Sequence, residues 1–248
     1  MSSTNAKGKS FVKGFSKTLG TRNFYELLPK SILNMSHKID YPNKSKINIH
    51  LPSGFAVIGS SGSCKTNWVL NFIELIETFD RVTLYAKKLD EPLYIYLVKC
   101  LEEAGIEHEE FDHLDSVIPC PEYDSKKNNL VIVDDFMNAP KKALEPIIDL
   151  FTMGRKNGIT PIYLAQSYFQ GIPQTIRSNI SYLVVFKIKA KNDMARIMTD
   201  ASVDLERDQL IGLLAHIRSM GDTNFMLIDK VTNDPALKLR INFKAGAR

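Results

Sequence analysis

Gly59-Ser60-Ser61-Gly62-Ser63-Cys64-Lys65-Thr66 follows the apolar run Phe55-Ala56-Val57-Ile58 and precedes the helix-like Asn67-Trp68-Val69-Leu70-Asn71-Phe72-Ile73. The spacing is that of G-x-x-x-x-G-K-[ST], with one departure. In such a loop the glycine-rich backbone aims N–H groups at the α- and β-phosphates of a nucleotide, the lysine reaches the β- and γ-phosphates, and the hydroxyl ligates magnesium. Gly59, Ser60, Ser61, Gly62, Ser63, Cys64, Lys65 and Thr66 are therefore the nucleotide-binding candidates, with Thr66 also a ligand for Mg2+. The departure is Cys64, which stands where the last glycine belongs, and a Cβ there is costly if the loop needs φ > 0.

Leu130-Val131-Ile132-Val133-Asp134-Asp135 is an apolar run ending on two acids. A carboxylate at the C-terminal end of a parallel strand sits where open α/β sheets bind ligands. Alone, the run also reads as a strand finishing in a turn. Downstream of a phosphate loop it reads as a Walker B pair, with Asp134 holding the metal through its water shell and Asp135 acting as general base on water. Ile162-Tyr163-Leu164-Ala165-Gln166-Ser167 is a second apolar run ending on polar residues. If its strand lies between the other two, Gln166 points at the γ-phosphate and senses the nucleotide or orients the water; otherwise it is an ordinary polar strand end. Phe151-Thr152-Met153-Gly154-Arg155-Lys156-Asn157-Gly158 closes a helix with cations and an αL glycine. Arg155 and Lys156 there either complement the helix dipole or, in the case of Arg155, serve as an arginine finger for a neighbouring subunit.

Positioning these groups requires alternating strands and helices. From residue 51 short apolar runs alternate with longer amphipathic stretches, which predicts βαβ units and a mainly parallel sheet. Strands are expected near 55–59, 81–86, 130–134, 160–165 and 181–187, with the last ones at 223–230 and 237–243. Helices are expected after the phosphate loop, over 91–104, from about Pro140 to Arg155, and over 192–199 and 204–218. Residues 1–22 carry Lys7, Lys9, Lys13, Lys17 and Arg22 ahead of the first acid, Glu26, and read as a basic flexible tail that touches nucleic acid or an acidic surface, or is simply solvated. Residues 23–50 read as a lead-in packed on the domain edge, and 51–248 as one domain.

A chain of 248 residues, 44% hydrophobic and 24% charged, suits one large α/β domain with a full core. Its three cysteines, Cys64, Cys100 and Cys120, are odd in number and far apart, without a C-x-x-C or His-x-His pair, so a reducing setting without a zinc site is expected. No apolar run approaches the roughly 20 residues of a membrane span, and the N-terminus lacks the apolar centre of a signal peptide; a soluble chain with no membrane partner is expected.

Together, Gly59–Thr66, Leu130–Asp135, Gly154–Ile159, Leu164-Ala165-Gln166-Ser167-Tyr168, Ile172-Pro173 and Thr175–Ile180 resemble the DNA-packaging ATPases of large DNA viruses and virophages, the poxvirus-type branch of the FtsK–HerA superfamily. The resemblance covers about residues 51 to 190. It implies a RecA-like core of strand order 5-1-4-3-2 with helices on both faces, ATP and Mg2+ as ligands, and a homo-oligomeric ring with ATP sites between subunits. The ring would drive double-stranded DNA into a preformed capsid, with a capsid or portal protein as partner, in the host cytoplasm (viral factory) or associated with the virion. By the same resemblance Lys65 and Thr66 bind phosphate and magnesium, Asp134 and Asp135 are the Walker B pair, Gln166 is the polar sensor, and Arg155 is the first choice for a trans finger. Arg177 is the second choice, although it equally fits packing of a helix against the sheet. Cys64 departs from the family pattern, and Asp135 stands where many members carry Glu. Two other functions stay open: a nucleotide-binding structural subunit that does not hydrolyse, which Cys64 keeps open, and a P-loop kinase, which the paired acids and the lack of an Arg-x-x-x-Arg lid disfavour. Lys126-Lys127, Lys141-Lys142 and Lys187–Lys191 are candidate DNA-facing patches, or solvated lysines.

Overall fold

The computed structural model describes residues 39–188, 191–201 and 206–244. The tail expected over 1–22 and the lead-in up to residue 38 lie outside them. The expected apolar runs form strands β1 (Phe55–Ile58), β2 (Arg81–Ala86), β4 (Asn129–Asp134), β5 (Ile159–Ala165), β6 (Tyr182–Val185), β7 (Met226–Asp229) and β8 (Leu239–Ile241), and one further strand, β3, spans Glu107–Phe111. Their order in the sheet is β3-β2-β4-β5-β1-β6-β7-β8. The five strands of the implied core, β6-β1-β5-β4-β2, thus lie in the order 5-1-4-3-2. Those five and β3 run parallel, whereas β7 and β8 extend the β6 edge antiparallel.

The strands are apolar on both sides because helices cover both faces of the sheet. Ala56, Ile58, Val131, Val133, Tyr163 and Ala165 join one core, while Phe55, Val57, Leu130, Ile132, Ile162 and Leu164 join the other. This is the period-2 alternation of a pleated strand, read twice. Helices α1 (Lys65–Ile76) and α2 (Pro92–Ala104) pack on the second face through Trp68, Val69, Phe72, Ile76, Tyr94, Leu97 and Leu101. Trp68 stacks on Phe72 there and Phe55 lies tilted against both, at centroid separations of 4.9 to 6.0 Å, a range in which ring pairs add to simple area burial. The first face is covered by α3 (Lys141–Thr152), α4 (Gln174–Asn179), α5 (Lys191–Ala201) and α6 (Arg207–Ser219).

The α3 helix stops at Thr152, short of the expected Arg155, and continues as a 3-10 turn over Gly154–Asn157. Gly158 closes that turn at φ 65°, the αL glycine expected there. A Cβ at Gly158 would meet the carbonyl oxygen of Lys127, so close approach as well as conformation requires glycine. The described part of the lead-in is tied to the sheet: Ile39 bridges Leu51, and the fully buried Arg240 on β8 donates to the carbonyls of Ile47 and Asn48 and pairs with Asp229 at 3.6 Å.

Candidate active site

The phosphate loop leaves the C-terminal end of β1 and delivers the chain into α1. Its path needs both glycines. A Cβ on Gly59 would lie 2.8 Å from the Cβ of Phe186 and closer still to the Ser63 hydroxyl, and Gly62 has φ 73°. Cys64 has φ 65° and ψ 21°, so the loop does demand a left-handed residue where this chain carries a side chain. The helix start lacks a side-chain cap. Its first-turn N–H groups, which have no intrahelical acceptor, are therefore left to a ligand.

Ser61, Gly62, Ser63, Cys64, Lys65 and Thr66 line one cavity of about 690 Å³ together with Asp134, Asp135 and Gln166. The volume is that of an ordinary small-ligand site. Gly59 and Ser60 lie behind it: Lys65 Nζ donates to the Gly59 carbonyl at 2.9 Å and to that of Ser60 at 3.4 Å, and Ser60 N donates to the Lys187 carbonyl. The Ser63 hydroxyl is buried against Gly59 without a protein hydrogen-bond partner. Ser60 to Ser63 also border a smaller cavity of about 180 Å³ with Lys187, Arg218 and Asp222.

The acids arrive from β4. Asp134 ends the strand and Asp135 turns away at φ 59°, a conformation that Asp tolerates better than most residues. Burial raises the pKa of the Asp134 carboxyl, offset by a hydrogen bond from Tyr94 and the charge of Lys65. Burial likewise lowers the pKa of Lys65, offset by Asp134, Asp135 and Glu91. Each charge thus opposes, without cancelling, the pull of desolvation on the other toward its neutral form. Thr66 and Asp134 face the same space, and a hydroxyl beside a carboxylate is a donor set that suits Mg2+ completed by phosphate and water oxygens. Among the described residues there is no group of three or more His, Cys, Asp or Glu that would hold a metal by itself.

Gln166 follows β5, and β5 lies between β1 and β4. This meets the condition on which its sensor reading depended, because the central strand of the three ends between the phosphate loop and the acidic tip. The two arginines are placed elsewhere. Arg155 is exposed on the turn before β5, at the opposite end of the strands from the cavity. Seven strand residues at about 3.3 Å each separate it from Gln166 by roughly 20 Å. Arg177 on α4 is 4% exposed; its Nη1 donates to the carbonyls of Phe169, Ile172 and Tyr168, and its Nε pairs with Asp200 at 3.3 Å. In this fold it packs a helix and a loop against the sheet.

Sequence reasoning passed over four side chains at the site. Tyr94 is 1% exposed and donates to Asp134 Oδ2 at 2.6 Å, with the Thr66 hydroxyl alongside. Lys87, Lys88 and Glu91, between β2 and α2, line the cavity. The only available signal was position, since all lie just past the C-terminal end of a parallel strand. Of the candidate DNA-facing lysines, Lys127 pairs with Glu107, while Lys126, Lys141 and Lys142 project from loops or helix starts. Within Lys187–Lys191 the side chain of Lys187 is described and exposed, whereas 189–190 and the Lys191 side chain lie outside the described residues.

A parallel sheet whose β1 feeds a phosphate loop, with the acidic tip two strands away and a polar strand end between them, defines a P-loop NTPase with a RecA-like core. The chain belongs to the poxvirus A32 protein family, whose profile matches residues 45–234. By that membership it is an ATPase of the viral DNA-packaging class. No curated protein sequence matches it. Among solved structures it is similar to the genome packaging NTPase B204 from Sulfolobus turreted icosahedral virus 2 in complex with AMP (TM-score 0.54, 12% identity, 77% of this chain and 96% of that one). The same NTPase in complex with ATP-gammaS (0.53, 12%, 77% and 96%) and B204, the DNA-packaging ATPase from Sulfolobus turreted icosahedral virus (0.52, 12%, 77% and 96%), are also similar. No helix among the described residues is long and apolar enough to cross a membrane.

Proposed function

We propose that this chain is an ATP-driven translocase of double-stranded DNA that packages a viral genome into a preformed capsid. The observation that carries the reading is the convergence of Lys65, Thr66, Asp134, Asp135 and Gln166 on one cavity. In it, the loop N–H groups and Lys65 bind the triphosphate, Thr66 and Asp134 hold Mg2+, Asp135 takes a proton from the attacking water and Gln166 orients that water. When bound, the metal neutralises charge on the β- and γ-phosphates. Arg155, too distant to serve its own cavity, reaches the site of a neighbouring copy in a homo-oligomeric ring and offsets charge developing on the γ-phosphate. DNA lies in the channel of that ring, and a capsid or portal protein receives it. The place of action is the host cytoplasm, in a viral factory, or the virion.

Adding duplex DNA to the purified chain should raise phosphate release. Asp135→Asn should bind ATP yet fail to turn it over. Equal rates with and without DNA count against translocation. A second reading, a nucleotide-binding structural subunit, rests on one observation: a side chain occupies the left-handed position of the loop at Cys64. Nucleotide affinity without ADP production decides for it.

A further inference from the structure

The loop that follows Gln166 is held from behind by one helix. Ser167 Oγ and the backbone N–H of Phe169 both donate to Oδ1 of Asp193, each at 2.9 Å, and Gln170 N–H donates to Ser167 Oγ at 3.3 Å. Asp193, in the first turn of α5, is 2% exposed. The carbonyls of the same loop turn the other way: those of Phe169 and Ile172 accept from Arg177 Nη1 at 2.7 and 3.0 Å. Arg177 is itself tied to α5, because Asp200 pairs with its Nε at 3.3 Å and with Arg196 Nε at 3.0 Å. Helix α5 therefore supplies the acceptor for the N–H side of the loop and anchors the donor for its carbonyl side.

Gln166 needs such a brace. It is exposed on the cavity wall one residue past the end of β5, so its side chain is aimed by its own backbone and by what fixes the next residues. A group that orients water contributes only when held in the productive geometry, and a displacement of about 1 Å costs on the order of 100-fold in rate. Resting on the reading of Gln166 as the water-orienting group, we infer that Asp193 is its positioning residue. The buried carboxylate, by gripping Ser167 and Phe169, sets the Gln166 carboxamide against the γ-phosphate site. Asp193 touches no reacting atom, and its effect passes through the loop.

A double-mutant cycle on the full chain, with ATP turnover measured in the presence of duplex DNA, tests this. Gln166→Ala should lower kcat. Asp193→Ala should lower kcat by roughly 10- to 100-fold with little change in KM for ATP, and should cost nothing further in the Gln166→Ala background. Asp193→Asn, which retains an Oδ1 acceptor, should recover most of the turnover. Where Asp193→Ala fails to fold, Ser167→Ala removes one donor from a half-buried site and should lower kcat severalfold at unchanged KM. Equal losses with and without Gln166, or a Ser167→Ala chain of parent kcat, overturn the role of Asp193 alone. A Gln166→Ala chain that turns over normally overturns the reading of Gln166 and this inference with it.

Discussion

The Tyr94 phenol donates to Asp134 Oδ2 across 2.6 Å, joining helix α2 to the tip of β4 behind the cavity wall. Burial raises the pKa of that phenol, so it remains a donor throughout the working range of pH. Burial pushes the Asp134 pKa up, and the hydrogen bond from Tyr94 works against that push. Outer groups of this kind tune metal affinity by about 10- to 100-fold. Tyr94→Phe should therefore raise the Mg2+ concentration for half-maximal turnover by roughly 10-fold or more. An Mg2+ titration of ATPase rate checks it, and an unchanged requirement would detach Tyr94 from the metal site.

The shifts at Asp134 and Lys65 set a pH window. In the proposed site Asp134 must be ionised to hold metal, and its pKa lies above the ordinary aspartate value of about 3.9, so activity should fall on acidification earlier than at an unperturbed site. In the same proposal Lys65 must be charged to hold phosphate, and its pKa lies below the ordinary lysine value of about 10.4, so the alkaline loss should also come early. The plateau of kcat/KM, which reports the free enzyme, should be narrowed on both sides. That of kcat should be broader, because bound phosphate raises the Lys65 pKa and bound metal lowers that of Asp134. Rates at limiting and saturating MgATP across pH give both profiles, and superimposable plateaus would contradict the assignment.

Cys64 holds a left-handed conformation that costs an L-residue roughly 1–2 kcal/mol. Cys64→Gly removes that cost, less what glycine adds to the freedom of the unfolded chain. We expect a net gain of up to about 1 kcal/mol, seen as a rise of roughly 2–4 °C in Tm, with ATPase activity kept or raised. A sharp drop in turnover would mean that the thiol itself serves the loop.

The two arginines should fail in different ways. Arg155→Ala, at an exposed turn, should fold normally and bind ATP, yet lose about 1,000-fold or more in turnover. Mixing it with Lys65→Ala subunits should restore part of the rate, since hybrid interfaces pair an intact finger with an intact loop. Arg177→Ala should instead lose about 3 kcal/mol or more, because it strands Asp200 and three carbonyls, and Tm should fall by roughly 6–12 °C. Failure of the mixed subunits to recover any activity would remove Arg155 from the neighbouring site.

The strands of the core were legible because each is a run of apolar residues bounded by polar turns, and a sheet covered on both faces demands that pattern. Glu107-His108-Glu109-Glu110-Phe111 shows none of it. It forms β3 because Glu109 meets Arg81 at 2.7 Å across the register with β2 and Glu107 pairs with Lys127, at a sheet edge where charge is tolerated. The loop and the acids announce themselves by spacing. Tyr94 does not: a tyrosine on an amphipathic helix reads as core, and its partner lies 40 residues away through the fold. The place of Gln166 depended on strand order, which no local pattern encodes, and the burial that sets Arg177 into its packing position is likewise a property of the folded chain.

Strand β5 begins just after the turn that carries Arg155 and ends just before Gln166, and all seven of its residues are buried at the centre of the sheet. In the ring proposed above, with Arg155 serving an adjacent copy, this one rigid strand would carry a group of its own site at one tip and a group of its neighbour's site at the other.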